Sequence, residues 1–128
     1  MLAIDASALV AIICGEDDAE TLLDSLAATS RRCVSALNLL EARLVITFGR
    51  GIEADRLEDL LTKWDIEVVA LDEDMGRLAF DAYRRFGKGR HAARLNMGDC
   101  AAYALAKARG WPLLFKGEDF SLTDIERA

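Results

Sequence analysis

A chain of 128 residues, 52% hydrophobic and 30% charged with a single proline, is the size of one ordinary domain and can bury roughly two-thirds of its unfolded surface. That composition excludes a disordered tail, a collagen-like repeat and a disulfide-stapled miniprotein. A net charge of −6 argues against general attraction to nucleic acid, which rests on Lys and Arg neutralising phosphates.

Leu2-Ala3-Ile4 is a short apolar run that ends at Asp5, and Ala8 to Ile13 continues it at a helix-compatible length, so a buried strand feeds a buried helix. Gly15 breaks that helix. Glu16 to Ala28 then predicts a second, amphipathic helix, with Leu22, Leu23 and Leu26 on one side and Asp17, Asp18, Glu20 and Asp24 early. Cys33-Val34 reads as a very short strand, Ala36 to Phe48 as a third helix stopped at Gly49-Arg50-Gly51, and Leu57, Leu60, Leu61 and Trp64 mark a fourth. Ile66 to Leu71 is the clearest strand, followed by an acidic helix start at Asp72 and a helix to about Phe86. A basic loop begins at Gly87, Asn96 opens an alanine-rich helix that ends at Gly110, and Pro112 to Phe115 gives the last strand.

Strands alternating with helices predict a single α/β domain over residues 1–128, a short central parallel sheet flanked by helices on both faces. Right-handed crossovers place the C-terminal ends of such strands along one edge, where ligands bind. The longest uncharged run, Ala6 to Gly15, is about half the length of a bilayer-spanning helix, so no membrane span is expected. Asp5 and the lack of a basic leader argue against a secretory signal and for a cytoplasmic protein. Cys14, Cys33 and Cys100 are odd in number and widely spaced, which predicts reduced core residues rather than disulfides or a metal centre.

Four acids fall where this architecture places a ligand. Asp5 follows the first strand, where it is also a good helix cap, as is Ser7. Glu41 shares a helical face with Leu37, Leu44, Val45 and Phe48, and an unpaired carboxylate buried in an apolar stripe costs several kcal/mol, roughly. It is therefore expected to be protonated, coordinating a metal, or in an internal salt bridge near Arg43 or with Arg77. Asp99 stands three residues after Asn96, a capping-box spacing with the shorter acid, on a helix whose alanines suit a central position. Asp119 follows the last strand, with Glu118 and Asp124 as alternative fourth acids.

Together these acids carry more than each does alone. Two carboxylates ~4 Å apart repel by about 4 kcal/mol at an effective dielectric near 20, and a dication relieves that repulsion. Oxygen-only ligands favour Mg²⁺ or Mn²⁺ over zinc. Such a centre can activate water against a phosphodiester, with Ser7 holding a water or a phosphate oxygen. No acid occurs between Ala82 and Gly98, whereas Arg84, Arg85, Lys88, Arg90, His91 and Arg94 do. That basic segment is a candidate track for an RNA backbone, with Tyr83, Phe86 or His91 available to stack on unpaired bases; a solvated surface is its alternative.

The segments Ile4-Asp5-Ala6-Ser7-Ala8-Leu9, Leu39-Leu40-Glu41-Ala42, Leu95-Asn96-Met97-Gly98-Asp99-Cys100 and Leu113-Leu114-Phe115-Lys116-Gly117-Glu118-Asp119-Phe120 resemble the PIN domain, specifically VapC-type toxins of bacterial toxin–antitoxin pairs. The resemblance spans nearly the whole chain, and the asparagine-x-glycine-aspartate segment is its most specific part. It implies a PIN-like three-layer fold and a Mg²⁺- or Mn²⁺-dependent endoribonuclease, with Asp5, Glu41, Asp99 and Asp119 as metal-binding and catalytic acids and Ser7 and Asn96 in support. It also implies a homodimer and a VapB-like antitoxin that blocks the acidic pocket, with DNA contact belonging to the antitoxin. Two other classes compete. A phosphoacceptor receiver domain would use Asp5, Asp72 and Lys116, and a metal-independent interaction module would use every acid as a cap or salt bridge.

Overall fold

The computed structural model describes all 128 residues. Leu2–Ile4 forms β1, Ala6–Ile13 α1, Ala19–Ala27 α2, Arg32–Ser35 β2, Ala36–Leu44 α3, Asp55–Lys63 α4, Ile66–Val69 β3, Glu73–Phe86 α5, Met97–Arg109 α6 and Leu113–Leu114 β4. The four strands pair in parallel in the order β3-β2-β1-β4. Alternation along the strands divides the core. Leu2, Ile4, Val34 and Leu114 pack on α1 to α4, while Ala3, Cys33 and Leu113 pack on α5 and α6. A sheet buried on both faces needs apolar residues at every strand position, and β1, the central strand, is buried at all three. The expected α/β three-layer architecture is therefore present.

The second helix starts later than its acids suggest. Gly15 takes the left-handed conformation at φ 63°, and the N–H groups of Gly15 and Glu16 donate back to the Ile12 and Ala11 carbonyls, a Schellman ending to α1. Glu16 to Asp18 are thereby committed to a turn, and α2 begins at Ala19. The third helix also departs from expectation: after Leu44 it widens into a π-helical turn over Val45–Gly49. The face it buries is Asn38, Leu39, Ala42 and Ile46, whereas Leu44, Val45 and Phe48 are exposed, Phe48 to 83%. A helix apolar nearly all round cannot bury every side, and the contacts of α3 with α1 and α6 select a side other than the stripe that periodicity suggests. Glu41 therefore sits half-buried at the edge of the core.

The cysteines are free as expected, with Cys33 and Cys100 buried and Cys14 partly so. No helix is long and apolar enough to cross a membrane.

Candidate active site

β1, β2 and β4 all run toward one edge of the sheet, and the residues that leave them serve as helix caps there. Asp5 ends β1 and caps α1, its Oδ2 accepting the Ser7 N–H at 3.0 Å. Ser35 ends β2 and caps α3. The Asp5 N–H donates to the Leu114 carbonyl, and beyond β4 the Lys116 N–H donates to Ser7 Oγ at 3.0 Å. Ser7 is thus pinned between the ends of β1 and β4. Asn96 and Asp99 form the full capping box at the start of α6: Asn96 Oδ1 accepts the Asp99 N–H at 2.8 Å, and Asp99 Oδ2 accepts the Asn96 N–H at 3.0 Å. Capping and presentation of an acid at the sheet edge are accordingly one arrangement.

Asp5 and Asp99 are 5% and 9% exposed. Burial pushes the Asp5 carboxyl from 3.8 up to about 6, hydrogen bonds from Ser7 oppose the rise, and the Glu41 carboxylate adds to it. Asp99 also rises to about 6, chiefly by burial, with the charges of Asp5 and Asp119 contributing. Glu41 is raised by burial and by Asp99, against a hydrogen bond from Asn38. Asp5, Glu41, Asp99 and Asp119 therefore lie within one another's fields. None takes part in an ion pair with a Lys, Arg or His side chain, which removes the internal salt bridge considered for Glu41; Arg77 pairs with Glu73 instead. An all-oxygen, uncompensated acidic set suits a hard dication. No three carboxylate, imidazole or thiol groups are gathered round one point.

Two residues without a role in the sequence reading shape this centre. Asn38 is fully buried, and its Nδ2 donates to Glu41 Oε1 at 2.8 Å and to the Gly98 carbonyl at 2.9 Å. Gly98 lies directly against Glu41: a methyl group on its Cα would overlap the carboxylate. The glycine beside Asp99 leaves room for the Glu41 carboxylate against α6. A polar residue three positions before Glu41, inside an otherwise apolar run, was the available signal for Asn38.

Asp119 and Glu118 line an open cleft of about 470 Å³ with Asn96, Asp99, Lys88 and Arg94. Glu118 is engaged locally, accepting from the Ser121 hydroxyl at 2.5 Å. Asp124 stands apart from the acids: it accepts from the Tyr103 hydroxyl and pairs with Lys107 at 3.1 Å and Arg85 at 3.7 Å. These partners hold its carboxyl below the ordinary range, and burial together with Asp124 pushes Tyr103 up to about 12. That network engages its charge in fastening the C-terminal segment to α6 rather than in the acidic set.

The basic segment divides as well. Lys88 and Arg94 reach the acidic cleft, and with Arg90 and His91 they line an adjoining depression. His91 Nδ1 accepts the Ala93 N–H, and its ring meets Phe86 edge-on at 5.2 Å. Arg84 and Arg85 are tied instead to Asp81 and to Asp124. The receiver-like set does not assemble. Asp72 follows β3 and caps α5, whereas Lys116 follows β4 at the opposite edge of the sheet, where it pairs with Glu16 and Asp18.

A family model described as "PIN domain" matches residues 2–126. A ribonuclease VapC from Mycolicibacterium smegmatis is 50% identical over 125 residues, covering 97% of this chain and 97% of that protein. The chain belongs to the PIN-domain family, among its VapC-type ribonucleases. Ribonuclease VapC30 of Mycobacterium tuberculosis is 47% identical over 125 residues, covering 97% and 95% of the two chains. The PIN fold is matched by the crystal structure of VapC20 from Mycobacterium tuberculosis, a sarcin-ricin loop cleaving toxin, with a TM-score of 0.79 at 16% identity over 100% of this chain and 98% of that one. A toxin–antitoxin complex from Klebsiella pneumoniae matches with a TM-score of 0.75 at 14% identity, over 97% and 93%. Membership in the PIN family, with Asp72 and Lys116 at opposite edges of the sheet, overturns the receiver alternative.

Proposed function

We propose that the chain is a Mg²⁺- or Mn²⁺-dependent endoribonuclease acting as the toxin of a VapBC-type pair. The observation that carries this reading is the convergence of the buried Asp5 and Asp99 with Glu41 at one end of the sheet, where each feels the others' charge. Asp99 and Asp119 line a cleft together with Lys88 and Arg94. Asp5, Glu41, Asp99 and Asp119 would hold the dication, which when bound lowers the pKa of a water and offsets charge on a departing oxygen.

The chain's own groups supply the remainder. The capping box holds Asp99 in one rotamer and Ser7 orients Asp5, so neither acid has to be ordered when substrate arrives. Lys88 and Arg94 offer cationic donors to phosphates flanking the acids, and the exposed His91, whose Nδ1 accepts the Ala93 N–H, is available to stack or donate. The same reading includes RNA as substrate, a cytoplasmic location and a VapB-like antitoxin that places a basic side chain among the acids. DNA contact falls to the antitoxin. The exposed Leu40, Leu44, Val45 and Phe48 on and after α3 support a homodimer, since large apolar side chains left exposed along one element favour an interface.

The test is RNA cleavage by the purified chain with and without Mg²⁺ or Mn²⁺, alongside Asp99→Asn. Cleavage is expected only in the parent with metal, at unchanged far-UV circular dichroism. Equal cleavage by Asp99→Asn, or cleavage in EDTA, refutes the assignment.

A further inference from the structure

We propose that Asn38 is a positioning residue that fixes the Glu41 carboxylate beside Asp99 by tying it to the backbone of α6, an inference that rests on the nuclease reading above. Both N–H groups of its amide are committed, one to Glu41 Oε1 at 2.8 Å and the other to the Gly98 carbonyl at 2.9 Å. The reversed amide would turn its oxygen toward two acceptors, so these partners set the orientation. Asn38 and Glu41 are three residues apart on one helix, whereas Gly98 is 60 residues away on another. The amide therefore couples the element that carries one acid to the element that carries the next. With Oε1 held by the amide, Gly98 lets the carboxylate rest on the α6 backbone, Oε2 lying nearest to it.

Asn38 is 0% exposed, and a leucine of similar volume would fill the same space while leaving the Glu41 carboxylate and the Gly98 carbonyl without its two donors. An aspartate there would bring another anion onto Glu41, and a serine would reach only one of the two acceptors. Two donors on a short planar group are the chemistry that fits this gap. Hydrogen bonds of this kind behind a ligating side chain characteristically govern metal affinity and turnover by 10- to 100-fold.

The experiment compares Asn38→Leu and Asn38→Ser with the parent in the full chain. It reads the Mg²⁺ concentration that half-saturates the metal-induced rise in Tm, and kcat and KM on an RNA substrate. In Asn38→Leu the half-saturating concentration is expected to rise about 10- to 100-fold and kcat to fall by a similar factor. KM stays at the parent value because Lys88 and Arg94 are untouched, and the metal-free Tm falls only modestly, by the two hydrogen bonds lost. Asn38→Ser recovers part of both losses, and it carries the test alone if the leucine variant does not fold. In a Glu41→Gln background Asn38→Leu adds no further loss, as expected of a residue that acts through Glu41. Parent-like metal response and kcat in Asn38→Leu, while Asp99→Asn loses both, overturn the positioning role and leave the nuclease reading standing. Additive losses with Glu41→Gln also overturn it. A metal response retained in Asp99→Asn removes both proposals together.

Discussion

Asp5→Asn separates the two roles that meet on one carboxylate, because asparagine ranks with aspartate as a helix cap but carries no charge. Asp5 accepts the Ser7 N–H at 3.0 Å, a bond the amide oxygen can keep. In the metal-free protein the Asp5 carboxyl is pushed from 3.8 up to about 6, first by burial. Between those two pH values the folded chain binds more protons than the unfolded one. Stability therefore falls as pH rises through that window, and the penalty is complete above pH 6. A displacement of that size corresponds to about 3 kcal/mol at most, less what it costs to bury the amide. For a chain of this length about 1 kcal/mol moves Tm by roughly 4 °C. Scanning calorimetry in EDTA at pH 8 should find the variant melting about 5–10 °C above the parent, with the gap closing near pH 4. Metal reverses the order: at 100 times Kd a dication adds about 2.7 kcal/mol to the parent and little to the variant, which also ceases to cleave RNA. A variant that melts below the parent at pH 8 without metal refutes the electrostatic reasoning, and one that cleaves like the parent refutes the site.

Asp119 and Asp124 should behave oppositely. Asp119→Asn is expected to lose RNA cleavage by at least 100-fold at unchanged Tm, whereas Asp124→Asn, which removes the charge that Lys107 and Arg85 pair with, lowers Tm by a few degrees and retains the metal response; thermal melts and cleavage rates of the pair distinguish them. Replacing Lys88 and Arg94 with Gln should raise KM for RNA with little change in kcat. The dependence of log affinity on log salt, read from binding titrations at several salt concentrations, becomes shallower by about 0.7 for each phosphate that is no longer neutralised. Gly98→Ala drives a methyl group into the Glu41 carboxylate, so α3 or Glu41 must move; cleavage is expected to fall by more than 10-fold, and a variant with parent kcat and metal affinity would show that this close approach is dispensable.

Much of the frame was legible in order along the chain. Apolar runs of two to six residues, the break at Gly15 and the capping-box spacing of Asn96 and Asp99 correspond to β1, the end of α1 and the start of α6. Each signal is local: a cap, a breaker or a turn acts over at most four or five residues, so its energetics are written in spacing. The alternation of strands with helices likewise yields a parallel sheet whose C-terminal edge collects Asp5 and Ser35.

Tertiary contacts decided the rest. Periodicity put Glu41 on a buried stripe with Leu44, Val45 and Phe48, yet α3 is apolar on more than one side, and its packing on α1 and α6 turns those residues outward. Glu118, Asp119 and Asp124 are close in sequence and alike in charge; only their neighbours in space, the Ser121 hydroxyl for Glu118, the cleft alone for Asp119 and the Tyr103 and Lys107 side chains for Asp124, tell them apart. Asn38 meets Gly98 across 60 residues of chain, a separation no local pattern encodes. Short-range propensity thus determined which elements form and where they begin, while the choice of which side chains meet was fixed by long-range burial, where each carboxylate's environment depends on atoms contributed by other elements.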